Sequence, residues 1–301
     1  MMKVVVSAEP TVAPLDALAG RSIPIEFPGV VEAAAPVPAA RSRLADYLEL
    51  TKPKIAVMAL FTVAVGYLLG AGGAALWVVL FHTLLGAGLV AAGGSALNQW
   101  LEWDIDARMP RTRERPLPAG RLTPTEALTF GLVLSAAGLA YLFLTVPYPA
   151  GVVAAATLVS YVAIYTPLKT LTVWNTLIGA VPGALPPVIG WTAARSWESP
   201  AGGWALFLVI FVWQIPHFLA IAWMYRGDYA RGGLRMLPAI DPTGGRTAAV
   251  MIATCAALVP VGLLPLWLGV GGWLTAIGAA ACGLLFLRQS LRFARTRTDA
   301  Q

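Results

Sequence analysis

The sequence predicts an all-α fold, a polytopic transmembrane helical bundle, and three observations carry that expectation. Of 301 residues, 58% are hydrophobic and only 12% are charged, about half the charged share of an ordinary soluble domain. The apolar residues gather in runs long enough to cross a hydrocarbon core about 30 Å thick as helices. Those runs are continuous rather than alternating, which argues against a β-barrel. Backbone groups in lipid must also bond within their own segment, so the runs read as helices. The length would admit two soluble domains, but the repeated apolar runs read as one bundle.

Taken in order, residues 1–43 are rich in Ala, Pro and Val, carry Glu9, Asp16, Glu26 and Glu32, and hold no long apolar run. That pattern fits neither a secretory signal nor an Arg-rich transit peptide, and a disordered tail is expected. A membrane domain is expected over 44–290, with eight spans near 54–71, 76–97, 124–145, 149–166, 172–192, 203–224, 247–269 and 271–289. Residues 291–301 read as a polar end.

The basic residues locate the two faces. Arg41, Arg43, Lys52 and Lys54 precede the first span, and Arg108, Arg111, Arg113, Arg115 and Arg121 follow the second. Lys169 follows the fourth span, Arg226, Arg231, Arg235 and Arg246 the sixth, and Arg288, Arg292, Arg295 and Arg297 the eighth. All of these fall on one side, and the other side has only Arg195, with Glu198 nearby. The positive-inside rule then predicts a multi-pass protein of the cell (plasma) membrane, with the amino terminus and the even loops cytoplasmic. The net charge of +6 is thus spread over the ends of spans. It is not gathered on a soluble face of the kind that binds nucleic acid, so no nucleic-acid partner is expected and the partner is the lipid bilayer. Cys255 and Cys282 sit in apolar runs and suggest no disulfide framework.

Two polar loops stand out. The first opens on Asn98, Glu102 and Asp106, spaced i, i+4, i+8. At about 100° per residue these lie within an arc of roughly 80° on one helix face, with Asp104 on a different face. One amide oxygen and two carboxylates aimed at a common point suit a hard divalent cation such as Mg²⁺, which completes its shell with water and phosphate. A solvated helix end is the bland alternative. Against it, acids at a helix carboxyl end oppose the dipole, and clustered carboxylates repel without a cation. The arginines just downstream suit phosphate, and also suit a topology anchor.

The second loop, Pro216 to Pro238, follows the sixth span as the first follows the second, so both lie on one side. It offers Asp228 as a carboxylate, with Arg226 and Arg231 beside it. His217 lies inside the sixth span, where two readings stand: metal or proton handling, and an interhelical hydrogen bond. His82 lies near the start of the second span and reads as structural. A third stretch, Tyr161 to Trp191, carries Tyr165, Lys169 and Asn175 before a Gly/Pro-rich helix suited to close approach or a kink.

Asn98-x-x-x-Glu102-x-x-x-Asp106 resembles the N-x-x-x-D-x-x-x-D motif of the UbiA superfamily of intramembrane prenyltransferases, with Glu in the middle. Four stretches resemble more narrowly the branch that farnesylates protoheme IX: Leu50 to Lys54, Arg111 to Arg121, Tyr165 to Trp191 and Pro216 to Pro238. The resemblance covers about residues 44 to 290.

That likeness implies a transferase taking farnesyl diphosphate and heme b to heme O, with Mg²⁺ as cofactor. It places Asn98, Glu102, Asp106 and Asp228 in catalytic and metal-holding roles. Lys52, Arg111, Arg115, Lys169 and Arg226 would contact diphosphate, and His217, Tyr165 and Asn175 are candidates on the acceptor side. Where the superfamily often has a second acid four residues after Asp228, this chain has Gly232, which implies a thinner second motif. Nine spans are usual in the family, so a last helix is expected beyond the eight. An enzyme forming heme A is implied as a downstream partner. Two rival readings remain. One is a prenyltransferase of quinone synthesis acting on an aromatic acceptor. The other is a non-catalytic heme-binding or transport protein using His82 and His217, which should lie near opposite faces.

Overall fold

The computed structural model describes residues 42–296. The expected disordered tail therefore lies outside the described residues up to residue 41, as do residues 297–301. Among the described residues every regular element is helical. In order these are α1 (Arg43–Leu50), α2 (Pro53–Ala71), α3 (Trp77–Arg108), α4 (Pro124–Thr145), α5 (Tyr148–Val159), a π-helical turn (Ser160–Tyr165), α6 (Thr166–Leu168), α7 (Asn175–Ala184), α8 (Pro186–Arg195), α9 (Pro200–Met224), α10 (Arg226–Arg231), α11 (Leu237–Ile240), α12 (Gly245–Val261), α13 (Leu264–Trp267) and α14 (Trp273–Thr296).

Eight helical stretches among the described residues are long and apolar enough to span a membrane. Phe61, Phe81, Leu144 and Leu274 stand exposed along these helices, as lipid-facing side chains do. The protein is thus a multi-pass membrane protein.

The boundaries differ from expectation where local chemistry intervenes. The second span continues past residue 97, as a shared helix face for Asn98, Glu102 and Asp106 requires, in one 32-residue helix to Arg108. The fifth begins at Asn175 rather than 172, because Asn175 is spent on bonds to the preceding loop. The last helix continues to Thr296, because Phe293 packs edge-on against Trp223 at 5.2 Å and so belongs to the core.

Short local signals set the other ends. Ser42 caps α1, accepting from the Ala45 N–H at 3.2 Å. Pro53 opens α2, where its missing N–H costs nothing. Thr123 and Glu126 form a reciprocal capping box on α4. Pro167 has no N–H for the carbonyl four residues back, and the ladder widens to a π-turn just before it.

The α7–α8 pair is the centre of the bundle: 72% of its apolar window is buried, against 17–44% for the other spans. Glycines let backbones meet there and elsewhere. A Cβ at Gly190 would fall 1.9 Å from the Val63 carbonyl oxygen, and one at Gly66 would fall 2.0 Å from that of Pro187, so α2 and α8 touch backbone to backbone. Gly93, Gly131 and Gly138 bring α3 and α4 together in the same way.

The polar connections sort to two ends. At one end Arg43 pairs with Glu126, Arg121 with Asp46, and the Arg235 N–H donates to the Lys169 carbonyl. At the other, Arg195 donates to the Gly70 carbonyl and Trp197 to the Tyr148 hydroxyl.

At the former end, buried Asp241 lies just before α12 and accepts from the Thr247 N–H in its first turn at 2.8 Å and from its hydroxyl at 2.9 Å. Burial alone would raise its pKa, but the bonds from Thr247, joined by the Thr243 hydroxyl and the Arg246 N–H, together outweigh it and hold the carboxyl below its usual value. Its contribution to stability is therefore complete above the unfolded value of about 3.9 and is lost as pH falls through the lower folded value. Asp241→Ala should cost about 1 kcal/mol, read as a lower unfolding temperature at neutral pH. The gap from wild type should close in acid.

Candidate active site

The site is built on the carboxyl-terminal end of α3. Because that helix is unbroken, Asn98, Glu102 and Asp106 share one face, and all three are buried, at 1%, 7% and 2% exposure. Asp104, on another face, is exposed.

Each of the three meets a cation from a different part of the chain. Lys52 Nζ donates to the Asn98 amide oxygen at 2.8 Å. Lys169 Nζ lies 2.7 Å from Glu102 Oε1, an ion pair whose angles fall short of a hydrogen bond. Arg115 donates to Asp106 Oδ2 at 2.6 Å. The Asn98 Nδ2 donates to the Thr166 hydroxyl at 3.1 Å, which itself donates to the Tyr161 carbonyl at 2.9 Å. Buried Thr112 donates to the Asp106 carbonyl at 2.9 Å and fastens the loop to the helix end.

The two lysines are tuned in opposite directions. Burial, with repulsion from Arg115 and Lys169, pushes Lys52 down to about 7, against the pull of Glu102 and Asp106. Burial also weighs against charge on Lys169, but Tyr165, Glu102 and Tyr161 outweigh it and hold that ammonium above its ordinary value. Lys52 faces Arg115 and Lys169 and bonds to a neutral amide, whereas Lys169 faces Tyr165, the Glu102 carboxylate and Tyr161. Lys52 also has φ +48°, a left-handed conformation a non-glycine residue adopts only under constraint.

The π-turn sets an aromatic wall beside these groups. Tyr161 and Tyr165 stack at 6.1 Å, and Lys169 Nζ sits 4.5 Å from the Tyr165 ring centre. That ring lies on Gly179, where a Cβ would come within 2.4 Å of it.

The second loop packs against the same end of α3. Arg111 covers the Tyr225 ring at 4.9 Å, and Tyr229 packs with Ile105 and Met109. Asp228 pairs with Arg231. Among the described residues no three of His, Cys, Asp and Glu converge, so Asp228 does not join Glu102 and Asp106 in a three-carboxylate cluster. Gly232 has a steric reason: a Cβ there would come 3.0 Å from Met109 Sδ and 3.3 Å from Ile105 Cγ2. Arg226 lies over the Trp223 ring at 4.5 Å and donates to the Trp223 carbonyl at 2.8 Å.

The acceptor-side candidates separate. Tyr165 stands at the site. Asn175 is fully buried and donates to the carbonyls of Thr172 at 2.7 Å and Arg235 at 2.9 Å, strapping the two loops together. His217 is half-buried in α9 and stacks on Trp213 at 5.0 Å. His82 Nδ1 lies 2.6 Å from the Tyr141 hydroxyl, a helix-to-helix contact between α3 and α4. Thr112, Thr166, Tyr161 and Tyr229 were not singled out as site residues from the sequence. Thr166 lies 68 residues from Asn98, and no local pattern links the two.

An amide oxygen and two carboxylates on one buried face match the hard-oxygen preference of Mg²⁺. Their small number leaves coordination positions for water and phosphate, so the donor set fits such an ion.

Comparison with known proteins agrees with this fold. Residues 59–301 match the UbiA prenyltransferase family. The chain is 46% identical over 267 residues to a protein of Solibacter usitatus (strain Ellin6076) named protoheme IX farnesyltransferase, covering 84% of this chain and 89% of that one. A solved structure from work on digeranylgeranylglyceryl phosphate synthase superposes with TM-score 0.71 at 20% identity, covering 85% of this chain and 89% of that one. A UbiA homolog from Archaeoglobus fulgidus, bound to DMAPP and Mg²⁺, superposes with TM-score 0.62 at 18% identity, covering 83% and 85%. With its eight-span bundle and the Asn98–Glu102–Asp106 face at one end of it, the chain belongs to the UbiA prenyltransferase family.

Proposed function

We infer that the protein is a membrane prenyltransferase that transfers the farnesyl group of farnesyl diphosphate to the 2-vinyl group of heme b, giving heme O. The observation that carries this reading is the buried α3 face, two carboxylates and an amide ringed by Lys52, Lys169 and Arg115. Extensive identity to a protoheme IX farnesyltransferase supports heme as the acceptor.

Asn98, Glu102 and Asp106 would hold Mg²⁺, and Asp228, which does not join them, would serve a thinner second metal position on the adjoining loop; when bound, the ion neutralises charge on the diphosphate. Lys52, Lys169, Arg115, Arg111 and Arg226 supply charge to the phosphate oxygens. As the bond from farnesyl C1 to oxygen breaks, the electron pair leaves with diphosphate, and these cations stabilise it where the charge develops. The allylic cation left behind would lie near the stacked Tyr161 and Tyr165 rings, which border the site. The vinyl π-pair of heme b then bonds to C1, and water adds to the resulting cation with loss of a proton. Apolar walls keep water from the first cation. His217 and Asn175 are assigned to the acceptor side, His217 through its ring stacked in α9 and Asn175 through the loops it straps.

The basic end is assigned to the cytoplasmic face of the cell membrane, where a soluble diphosphate is at hand. The product is assigned to an enzyme that forms heme A.

The test is incubation of the full chain in lipid nanodiscs with farnesyl diphosphate, heme b and Mg²⁺, followed by mass analysis of the hemes. Heme O is expected. Folded protein that leaves heme b unchanged, or that prenylates an aromatic acid instead, rejects the reading.

A further inference from the structure

One oxygen of each of the three side chains that suit a divalent cation already faces a basic group. Asn98, Glu102 and Asp106 are met by Lys52, Lys169 and Arg115 at 2.8, 2.7 and 2.6 Å. The cations come from three separate segments: the α1–α2 junction, the loop after α6 and the loop after α3. Mg²⁺ needs contacts of about 2.0–2.1 Å to oxygens of this face.

A metal arriving alone on this face would lie beside these three basic groups with no anion to balance the added charge. An anion arriving alone would meet cations whose charge is partly spent on Glu102 and Asp106. Arriving together, metal and anion exchange partners with the site: the metal takes the α3 oxygens, and the freed ammonium and guanidinium groups turn to the phosphate oxygens. Like charges are never left adjacent.

We propose that Lys52, Lys169 and Arg115 hold the metal's place on the α3 face, so that a divalent cation and a diphosphate bind as a coupled pair and each alone binds weakly. This rests on the reading above that the α3 face holds the metal. By linkage the coupling is reciprocal, and it has a consequence for turnover: once diphosphate leaves, the returning cations help expel the metal.

The test is equilibrium dialysis of Mn²⁺ against the full chain in detergent, with inorganic diphosphate either absent or present in both chambers. Diphosphate in both chambers cancels its own chelation of the metal. The expected result is a rise in Mn²⁺ affinity with diphosphate, within the range of about 5- to 150-fold common for coupled sites. Lys169→Met should hold Mn²⁺ alone more tightly than wild type and gain less from diphosphate, and Lys169→Arg should restore the wild-type pattern. Equal Mn²⁺ retention by wild type with and without diphosphate overturns the proposal, and this arm needs no variant to fold. So does a Lys169→Met protein that binds Mn²⁺ alone no better than wild type. Asp106→Asn separates the two possible faults. If it leaves Mn²⁺ retention untouched, the metal assignment fails. If it abolishes retention while diphosphate has no effect on wild type, the coupling alone fails.

Discussion

Asp106→Ala should remove most of the Mg²⁺-dependent turnover, by about 10²–10³-fold in kcat, the scale seen when one group that stabilises developing charge is deleted. The Asp106 carboxylate is 2% exposed and accepts from Arg115 at 2.6 Å. Its loss takes an oxygen ligand from the α3 face and also leaves Arg115 without its partner, so the guanidinium is free to wander from the phosphate position. Asp106→Asn keeps the shape and removes only the charge, so a comparable loss there assigns the effect to charge rather than to packing. Glu102→Gln should behave alike, because Glu102 anchors Lys169 in the same manner. Turnover measured against Mg²⁺ concentration, alongside thermal unfolding in detergent, decides the matter. Unimpaired turnover by Asp106→Ala would remove the α3 face from the mechanism.

Gly190→Val should be the most damaging single change to the fold away from the charged site. The added Cβ would sit 1.9 Å from the Val63 carbonyl oxygen and 2.6 Å from the Tyr67 nitrogen. Both are backbone atoms of α2 and have no rotamer to escape into. Overpacking a core usually costs about 1–3 kcal/mol, and here relief requires α2 and α8 to part along the most buried span. Gly88→Ala is the control, since its Cβ would meet nothing nearer than a Leu60 methyl at 3.5 Å. The yield and unfolding temperature of Gly190→Val should fall sharply while Gly88→Ala stays near wild type. Equal behaviour of the two would contradict the backbone contact between α2 and α8.

The likeness between Gly66, Gly190 and Gly93 marks a limit on reading glycines from the chain alone. Each was visible as a small residue in an apolar run. Which neighbour it met, and whether that neighbour was a carbonyl or a yielding side chain, depends on a partner helix far away in sequence. Gly232 is a sharper case. Its place four residues after Asp228 was legible as a missing acid, but the reason, Met109 and Ile105 crowding the space a Cβ would take, belongs to packing.

The span count, the segregation of arginines and the shared face of Asn98, Glu102 and Asp106 were all legible in the linear chain. They rest on local physics: an apolar run must be helical in lipid, and residues spaced by four share a helix face. What only the tertiary structure decided is the work of each cation. Arg115 goes to Asp106, Arg121 goes to Asp46 and Glu49 on α1, Arg113 pairs with neighbouring Glu114 at the surface, and Arg111 lies over Tyr225. Lys52 and Lys169 reach α3 from 46 residues before Asn98 and 67 residues after Glu102. Asn175, read as an acceptor-side candidate, straps two loops together with its amide. Arginines in one short run look alike because charge and spacing are all a sequence shows. Their partners are chosen by which helix ends the bundle packs side by side, and that choice is made by backbone contacts elsewhere in the protein.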